Sequence, residues 1–160
     1  MAATAVFPAT MTRAAPASSN VEINCLAAAV YYEARGESAA GQAAVAQVVV
    51  NRTHVAGFPK SVCAVIHQGA GRRGCQFSFA CGASLPARRD VAAWTRSRSV
   101  AARALSGQLM ADVGRAIAFH AVNLGVSRDG GLRRVARIGG HVFLARYIDS
   151  APHPELATGL

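Results

Sequence analysis

A chain of 160 residues is long enough for one domain with a single core, and nothing in it asks for a second. Hydrophobic residues make up 52%, but alanine dominates that share, and no apolar run reaches the length of about 18 residues that a membrane span needs. The net charge is +9, with arginine at every cationic position except Lys60, which suits a polyanionic partner. The arginines are scattered, as at Arg72-Arg73, Arg88-Arg89, Arg96, Arg98 and Arg133-Arg134-Arg137. No helix-turn-helix, RNA-recognition signature or zinc finger accompanies them, so nucleic acid is not expected as the primary partner.

Residues 1–19 are rich in Ala, Thr, Ser and Pro, with Arg13 after the apolar residues and not before them. They lack the basic start and long apolar middle of a signal peptide. They are read as a flexible leader, with the folded domain over residues 20–148 and a tail over 149–160. Ser19-x-x-Glu22 is a capping-box start for a helix whose Ile23, Leu26, Ala27, Val30, Tyr31 and Ala34 share one stripe. Gly36 stops it, and Ser38 caps a second helix carrying Ala44, Val45, Val48 and Val49. Asn51 and Arg52 close that helix and are read as structural, Arg52 as a partner for Glu37. Gly57-Phe58-Pro59 turns the chain, and Ser61 opens a short helix ending at Ile66.

Residues 69–74 form a loop. Residues 75–81 alternate aromatic and polar side chains, as a short strand or hairpin arm would, with Gln76 and Ser78 on one face. From Pro86, a favoured first helical residue, to about Ser106 the pattern predicts an amphipathic helix with Val91, Trp94, Ala101 and Leu105 on its apolar side. Residues 116–123 read as a buried extended segment or short helix, 125–131 as a loop, and 135–144 as a short apolar element broken by Gly139-Gly140. The fold class expected is α+β, mostly α, with a small extended portion.

Cys25, Cys63, Cys75 and Cys81 form no Cys-x-x-Cys pair, which argues against zinc or redox chemistry. Of the three possible disulfide connectivities, Cys75 with Cys81 and Cys25 with Cys63 is favoured. Bridges would indicate a periplasmic or extracellular setting. The competing reading is four buried thiols. The histidines form no metal-ligand spacing, and neither a metal nor a cofactor is expected.

The chemistry concentrates at Glu33. It falls in the last turn of the first helix, on the margin of the apolar stripe, where the helix dipole, burial and nearby Glu37 all favour the neutral acid. A carboxylic acid kept protonated near neutral pH is what general-acid cleavage of a glycosidic bond requires. Arg35 opposes this if it folds back, and the plainer reading is that Glu33 and Glu37 are solvated helix-end charges.

Five ordered blocks bear on that choice. They are Glu33-Ala-Arg-Gly-Glu37, Gly41-Gln42-x-Ala-Val-Ala-Gln-Val-Val-Val-Asn51-Arg52, Phe58-Pro59-x-Ser-Val-Cys63-x-Val-Ile-x-Gln68, Cys75-Gln76-Phe77-Ser78-Phe79 and Ile138-Gly139-x-His141-x-Phe143. Together they resemble the SleB-type cell wall hydrolases, the spore-cortex-lytic catalytic domain family, over about residues 22–146. The resemblance implies a lysozyme-like fold acting on peptidoglycan strands, with Glu33 as catalytic acid. The chemistry implied is that of a lytic transglycosylase, which cuts between N-acetylmuramic acid and N-acetylglucosamine and closes a 1,6-anhydro ring.

Glu37, Asp90, Asp112 and Asp129 make no obvious second-carboxylate constellation, so a mechanism with one acid that switches to base is expected. Gln76 and Ser78 are assigned to the groove beside Glu33. Tyr32 is assigned to sugar stacking, and His120 and His141 to orienting substrate or the acid. The plain alternatives are a solvent-facing Ser78, a packing Tyr32 and hydrogen-bonded core histidines. Two departures from the family, Ala118 where a histidine is common and residues 125–131 where an aromatic-rich loop is common, are expected to thin the sugar-contacting wall. The setting expected is envelope remodelling, germination or a phage-like particle. The rival function is a noncatalytic peptidoglycan-binding or envelope-assembly module of the same shape.

Overall fold

The computed structural model describes residues 19–72, 74–82, 86–110, 112–124 and 130–147. The leader (Ser19 apart), the tail from residue 149, Arg73, Asp129 and most of the 125–131 loop lie outside the described residues. Helix α1 (Asn20–Ala34) is buried around nearly its whole middle, from Leu26 to Tyr31. A helix apolar on all sides needs neighbours on all sides, and α2 (Ala39–His54), α3 (Val62–Ile66) and α4 (Val91–Leu105) supply them. Ala27, Ala28 and Ala29 present little side chain, which permits close approach of these neighbours to one core with Val49, Val65, Ile66, Phe77 and Ala101.

The helix starts follow the sequence in two of three cases without change. Ser38 Oγ accepts from Gly41 N at 3.2 Å and Ser61 Oγ from Ala64 N at 3.2 Å. At α1, Ser19 Oγ accepts from Glu22 N, but the reciprocal half of the capping box gives way to a tertiary bond. Glu22 Oε2 accepts from Val62 N at 2.8 Å and so tethers the start of α3. The Cys25–Cys63 disulfide, Cα–Cα 5.2 Å, joins the same two helices, and Cys75–Cys81, Cα–Cα 5.8 Å, closes the short loop. The favoured connectivity is the one found.

Two expected elements differ. Residues 75–81 are not a strand or hairpin arm. Ser78–Ala80 is a 3₁₀ turn, because a bridge between ends 5.8 Å apart is incompatible with six extended residues, which would span about 20 Å. Both Phe77 and Phe79 are buried, against each other's rings at 5.8 Å. The fourth helix begins at Val91 and not at Pro86. The Tyr32 hydroxyl donates to the Pro86 carbonyl, and Asp90 N donates to Tyr31 Oη at 3.2 Å. These tyrosines hold residues 86–90 outside the helix, and the Asp90 carboxylate caps it through Ala93 N at 2.8 Å.

The sheet has three antiparallel strands, β1 (Ala118–Ala121), β2 (Leu132–Ile138) and β3 (His141–Arg146), in the order β1-β3-β2. Of segment 116–123, residues 118–121 take the extended alternative, and a 3₁₀ turn follows over Val122–Leu124. The apolar element 135–144 is a hairpin, and what broke it in the sequence, Gly139-Gly140, is the turn. A second core cluster, Ala34, Ala44, Val45, Val48, Val113, Ala116 and Phe143, joins α1 and α2 to this sheet.

Glu37 completes the join. Its N–H is held by Ala34 O at 2.9 Å and its carbonyl by Gln42 Nε2 at 3.1 Å. Its side chain crosses to the hairpin turn and accepts from Gly140 N at 3.2 and 3.3 Å. The approach requires glycine. Gly139 has φ +56° and a Cβ there would fall onto Glu37 Oε2, while one on Gly140 would lie 2.8 Å from Oε1. Gly139→Ala combines left-handed strain with this clash and is expected to lower stability by about 1–3 kcal/mol. Denaturant unfolding would show it as a fall in midpoint at constant slope.

Candidate active site

Glu33 sits half-buried in the last turn of α1, where the stripe that fills the core runs out. Burial pushes its carboxyl above the ordinary carboxylate range. Arg35 does not fold back to it, since its guanidinium lies over the Tyr31 ring at 5.3 Å. Glu37, one turn on, faces the β2–β3 turn. His141 Nδ1 lies 3.6 Å from Glu37 Oε1, so the same carboxylate that holds the turn also faces the ring of the first β3 residue.

Glu33 borders a cleft of about 290 Å³ between the helices and the sheet. Arg52 of α2 and the segment Gln76-Phe77 line one part of it. Phe119, His120 and Ala121 of β1, with Leu124 and His141, line the rest. His120 Nδ1 donates to the Ala121 carbonyl at 3.0 Å, and the Phe119 ring meets His141 edge to face at 5.4 Å. The wall is therefore partly aromatic and partly hydrogen-bonding. Among the described residues Glu33 is the one carboxyl lining the cleft. Glu22 is engaged at α3, Asp90 caps α4 and Asp112 is exposed.

Of the residues singled out in the sequence, Glu33, Gln76, His120 and His141 come together here. Ser78 and Tyr32 do not line the cleft. Ser78 is exposed at the start of the 3₁₀ turn. The Tyr32 ring stacks on Phe79 with centroids 4.7 Å apart, and its hydroxyl is engaged by Pro86. Ala118 pairs with Leu144 and is not among the residues that line the cleft.

Arg52, Phe77, Phe119 and Leu124 were not singled out for the site. For Arg52 the expected pairing with Glu37 is replaced by an Nε–H donated to Ile117 O at 2.7 Å. Glu37 is engaged across the fold, and Arg52 instead pins the chain entering β1. The signal that bore on it was its place in the Asn51-Arg52 block. Phe119 stood beside a residue that was chosen.

The family profile described as Cell Wall Hydrolase matches residues 36–144, a span that begins just after Glu33. A spore cortex-lytic enzyme of Bacillus subtilis (strain 168) is 52% identical over 50 residues, covering 31% of this chain and 16% of that protein. Among solved structures, the catalytic domain of the germination-specific lytic transglycosylase SleB from Bacillus anthracis is similar with TM-score 0.62 and 27% identity. That likeness covers 82% of this chain and 99% of the other. The catalytic domain of the Bacillus cereus SleB protein gives TM-score 0.61 and 25% identity, over 86% and 100% of the two chains. The helix-rich α+β, lysozyme-like layout read from the sequence is the one found.

A raised carboxyl pKa fixes a sign. Between the unfolded and folded values of Glu33 the folded state binds more protons, so this group's contribution to stability falls as pH rises through that window. Glu33→Gln is therefore expected to unfold at a higher temperature than the wild type at neutral pH. The gain should shrink below the ordinary carboxylate range, where both states are protonated. Side-chain carboxyl ¹³C NMR of the wild type should show Glu33 titrating above the ordinary range of a glutamate.

Proposed function

The chain belongs to the cell wall hydrolase family, and on that premise we propose that it cleaves the glycan strands of peptidoglycan, with Glu33 as the single general acid and base. The observation that carries this reading is the half-buried Glu33, its carboxyl raised by burial and alone among carboxyls of the described residues in lining the cleft. A glycosidase that works by two carboxylates needs a second one in the cleft, and Glu37 is committed to the hairpin turn.

In the proposed reaction the Glu33 carboxyl gives its proton to the oxygen linking N-acetylmuramic acid to N-acetylglucosamine as the bond to the anomeric carbon breaks. The resulting carboxylate accepts the proton of the muramic 6-hydroxyl while that oxygen bonds to the anomeric carbon. One proton leaves Glu33 and one returns, so the enzyme ends as it began and the product carries a 1,6-anhydro ring. Desolvation serves the first step by keeping the proton in place, and makes the carboxylate a stronger base in the second. Gln76, His120 and His141 offer hydrogen bonds to the sugar, and Phe119 and Leu124 offer apolar faces.

The two disulfides suit a setting outside the cytoplasm, in the periplasm or at the cell wall. No helix among the described residues is long and apolar enough to cross a membrane. The comparisons bear on a catalytic domain and not on assembly into a phage-like particle.

Digestion of purified sacculi tests the proposal. Wild type should release muropeptides lighter by one water, roughly 18 Da, than hydrolysis products, because ring closure replaces water attack. Glu33→Gln should bind sacculi but lower the rate about 100- to 10,000-fold. Ordinary reducing ends would contradict the ring-closing step. Binding without any product from wild type would favour the noncatalytic module.

A further inference from the structure

Helix α2 carries three long polar side chains that pin the segment leading into β1, and the last of them, Arg52, lines the cleft. Gln47 Nε2 donates to Gly114 O at 2.7 Å, and Asn51 Nδ2 donates to Gly114 O and Ala116 O at 2.9 and 2.8 Å. Arg52 Nε donates to Ile117 O at 2.7 Å. Neutral amides suffice at the first two positions, whereas the third uses a guanidinium with five N–H donors to satisfy one carbonyl.

That guanidinium is an expensive way to make one hydrogen bond. Arg52 is only 4% exposed. Its Cζ lies 5.4 Å from the Phe58 ring centre and 5.5 Å from that of Phe77, so aromatic faces flank the cation. Among the described residues no carboxylate pairs with it, and Nη1 meets no acceptor. Burial lowers its pKa to about 10, which still leaves it charged at neutral pH. A buried charge is ordinarily paired and hydrogen-bonded. Arg52 is neither on its Nη side, and it lines the cleft that Glu33 borders.

We propose that Arg52 is a substrate-binding residue whose Nη donors take an acyl oxygen of the amino sugar held beside Glu33. The proposal rests on the functional reading above and adds the group that makes the cleft selective. A desolvated, planar, charged donor demands a strong acceptor with lone pairs in a plane, which a carbonyl or carboxylate oxygen supplies better than a hydroxyl. Peptidoglycan sugars carry two such groups, the acetamido carbonyl and the lactyl carboxyl of muramic acid. A plain glucan carries neither. Glu33 by itself would protonate any glycosidic oxygen brought to it, so recognition of the acyl group falls to another residue.

The test uses the whole chain, labelled with ¹³C and ¹⁵N arginine, and follows the Arg52 Nε–H and Cζ signals as three probes are added: chitotriose, the N-acetylglucosamine–N-acetylmuramic acid disaccharide with its free lactyl carboxylate, and cellotriose. The Arg52 signals should move with an acylated probe and stay still with cellotriose. Movement with both acylated probes assigns the acetamido carbonyl, and movement with the muramyl sugar alone assigns the lactyl group. In parallel, Arg52→Lys should raise KM for sacculi roughly 10- to 100-fold while kcat changes less, as loss of a charge-assisted hydrogen bond predicts.

Unmoved Arg52 signals with both acylated probes, equal movement with cellotriose, or an unchanged KM in a folded Arg52→Lys would overturn the assignment. Sacculus digestion by wild type separates the two levels. Its absence sinks the functional reading, whereas digestion with a silent Arg52 sinks only this one.

Discussion

The Glu37 side chain is the interaction on which the cleft depends. Helices and sheet share the Phe143 cluster, but that cluster sets only how the layers stack. Where the rim of the sheet lies over the end of α1 is set by one carboxylate, tied at its own backbone to Ala34 and Gln42 and at its tip to Gly140 N–H. Gly41 belongs to the same device, since a Cβ there would lie 2.9 Å from the Glu37 Cβ. The clip brings His141, first residue of β3, to the cleft that Glu33 lines. Two carboxyls four residues apart thereby have opposite surroundings: Glu37 is given donors, and Glu33 is given burial.

The opposite wall has its own anchor. Gln47 and Asn51 lie one turn apart on α2, and Arg52 follows Asn51 directly in the last turn of the helix. They collect the carbonyls of Gly114, Ala116 and Ile117 just before β1. Phe119 and His120 follow within three residues of Ile117, and so inherit their position from α2. Both walls are thus built on the two-helix unit at the N-terminal end of the fold, one through Glu37 and one through Arg52.

What the sequence made legible was what is local. The stripe from Leu26 to Ala34, the caps Ser19, Ser38 and Ser61, and the Gly36 stop are short-range signals, and they set α1 to α3 and put Glu33 in a last turn. The cysteine spacing also pointed to the pairing found. The misreadings are of contacts made far along the chain. Nothing around Pro86 announces that Tyr31 and Tyr32, more than fifty residues earlier, hold residues 86–90 outside α4. The aromatic alternation at residues 75–81 mimics a strand, but the bridge across it forces a turn. The Tyr32 ring stacks on Phe79, a contact far along the chain that no local signal announces. The expected pairing of Arg52 with Glu37 does not form, because Arg52 donates to Ile117 O and Glu37 accepts from Gly140 N. The sheet itself was read only as extended segments, because strand pairing across Gly139-Gly140 and back to β1 is not a local property.

The Glu37 clip holds the hairpin turn and brings His141 to the cleft that Glu33 borders, and the desolvation that raises the Glu33 carboxyl is expected to depend on it. That dependence is tested most directly by following the Glu33 carboxyl titration by ¹³C NMR in Glu37→Ala beside the wild type, with backbone spectra confirming that the helices remain folded. The Glu33 midpoint is expected to fall toward the ordinary carboxylate range as the turn lifts and water enters. An unchanged midpoint in a folded variant whose hairpin has come away would contradict it.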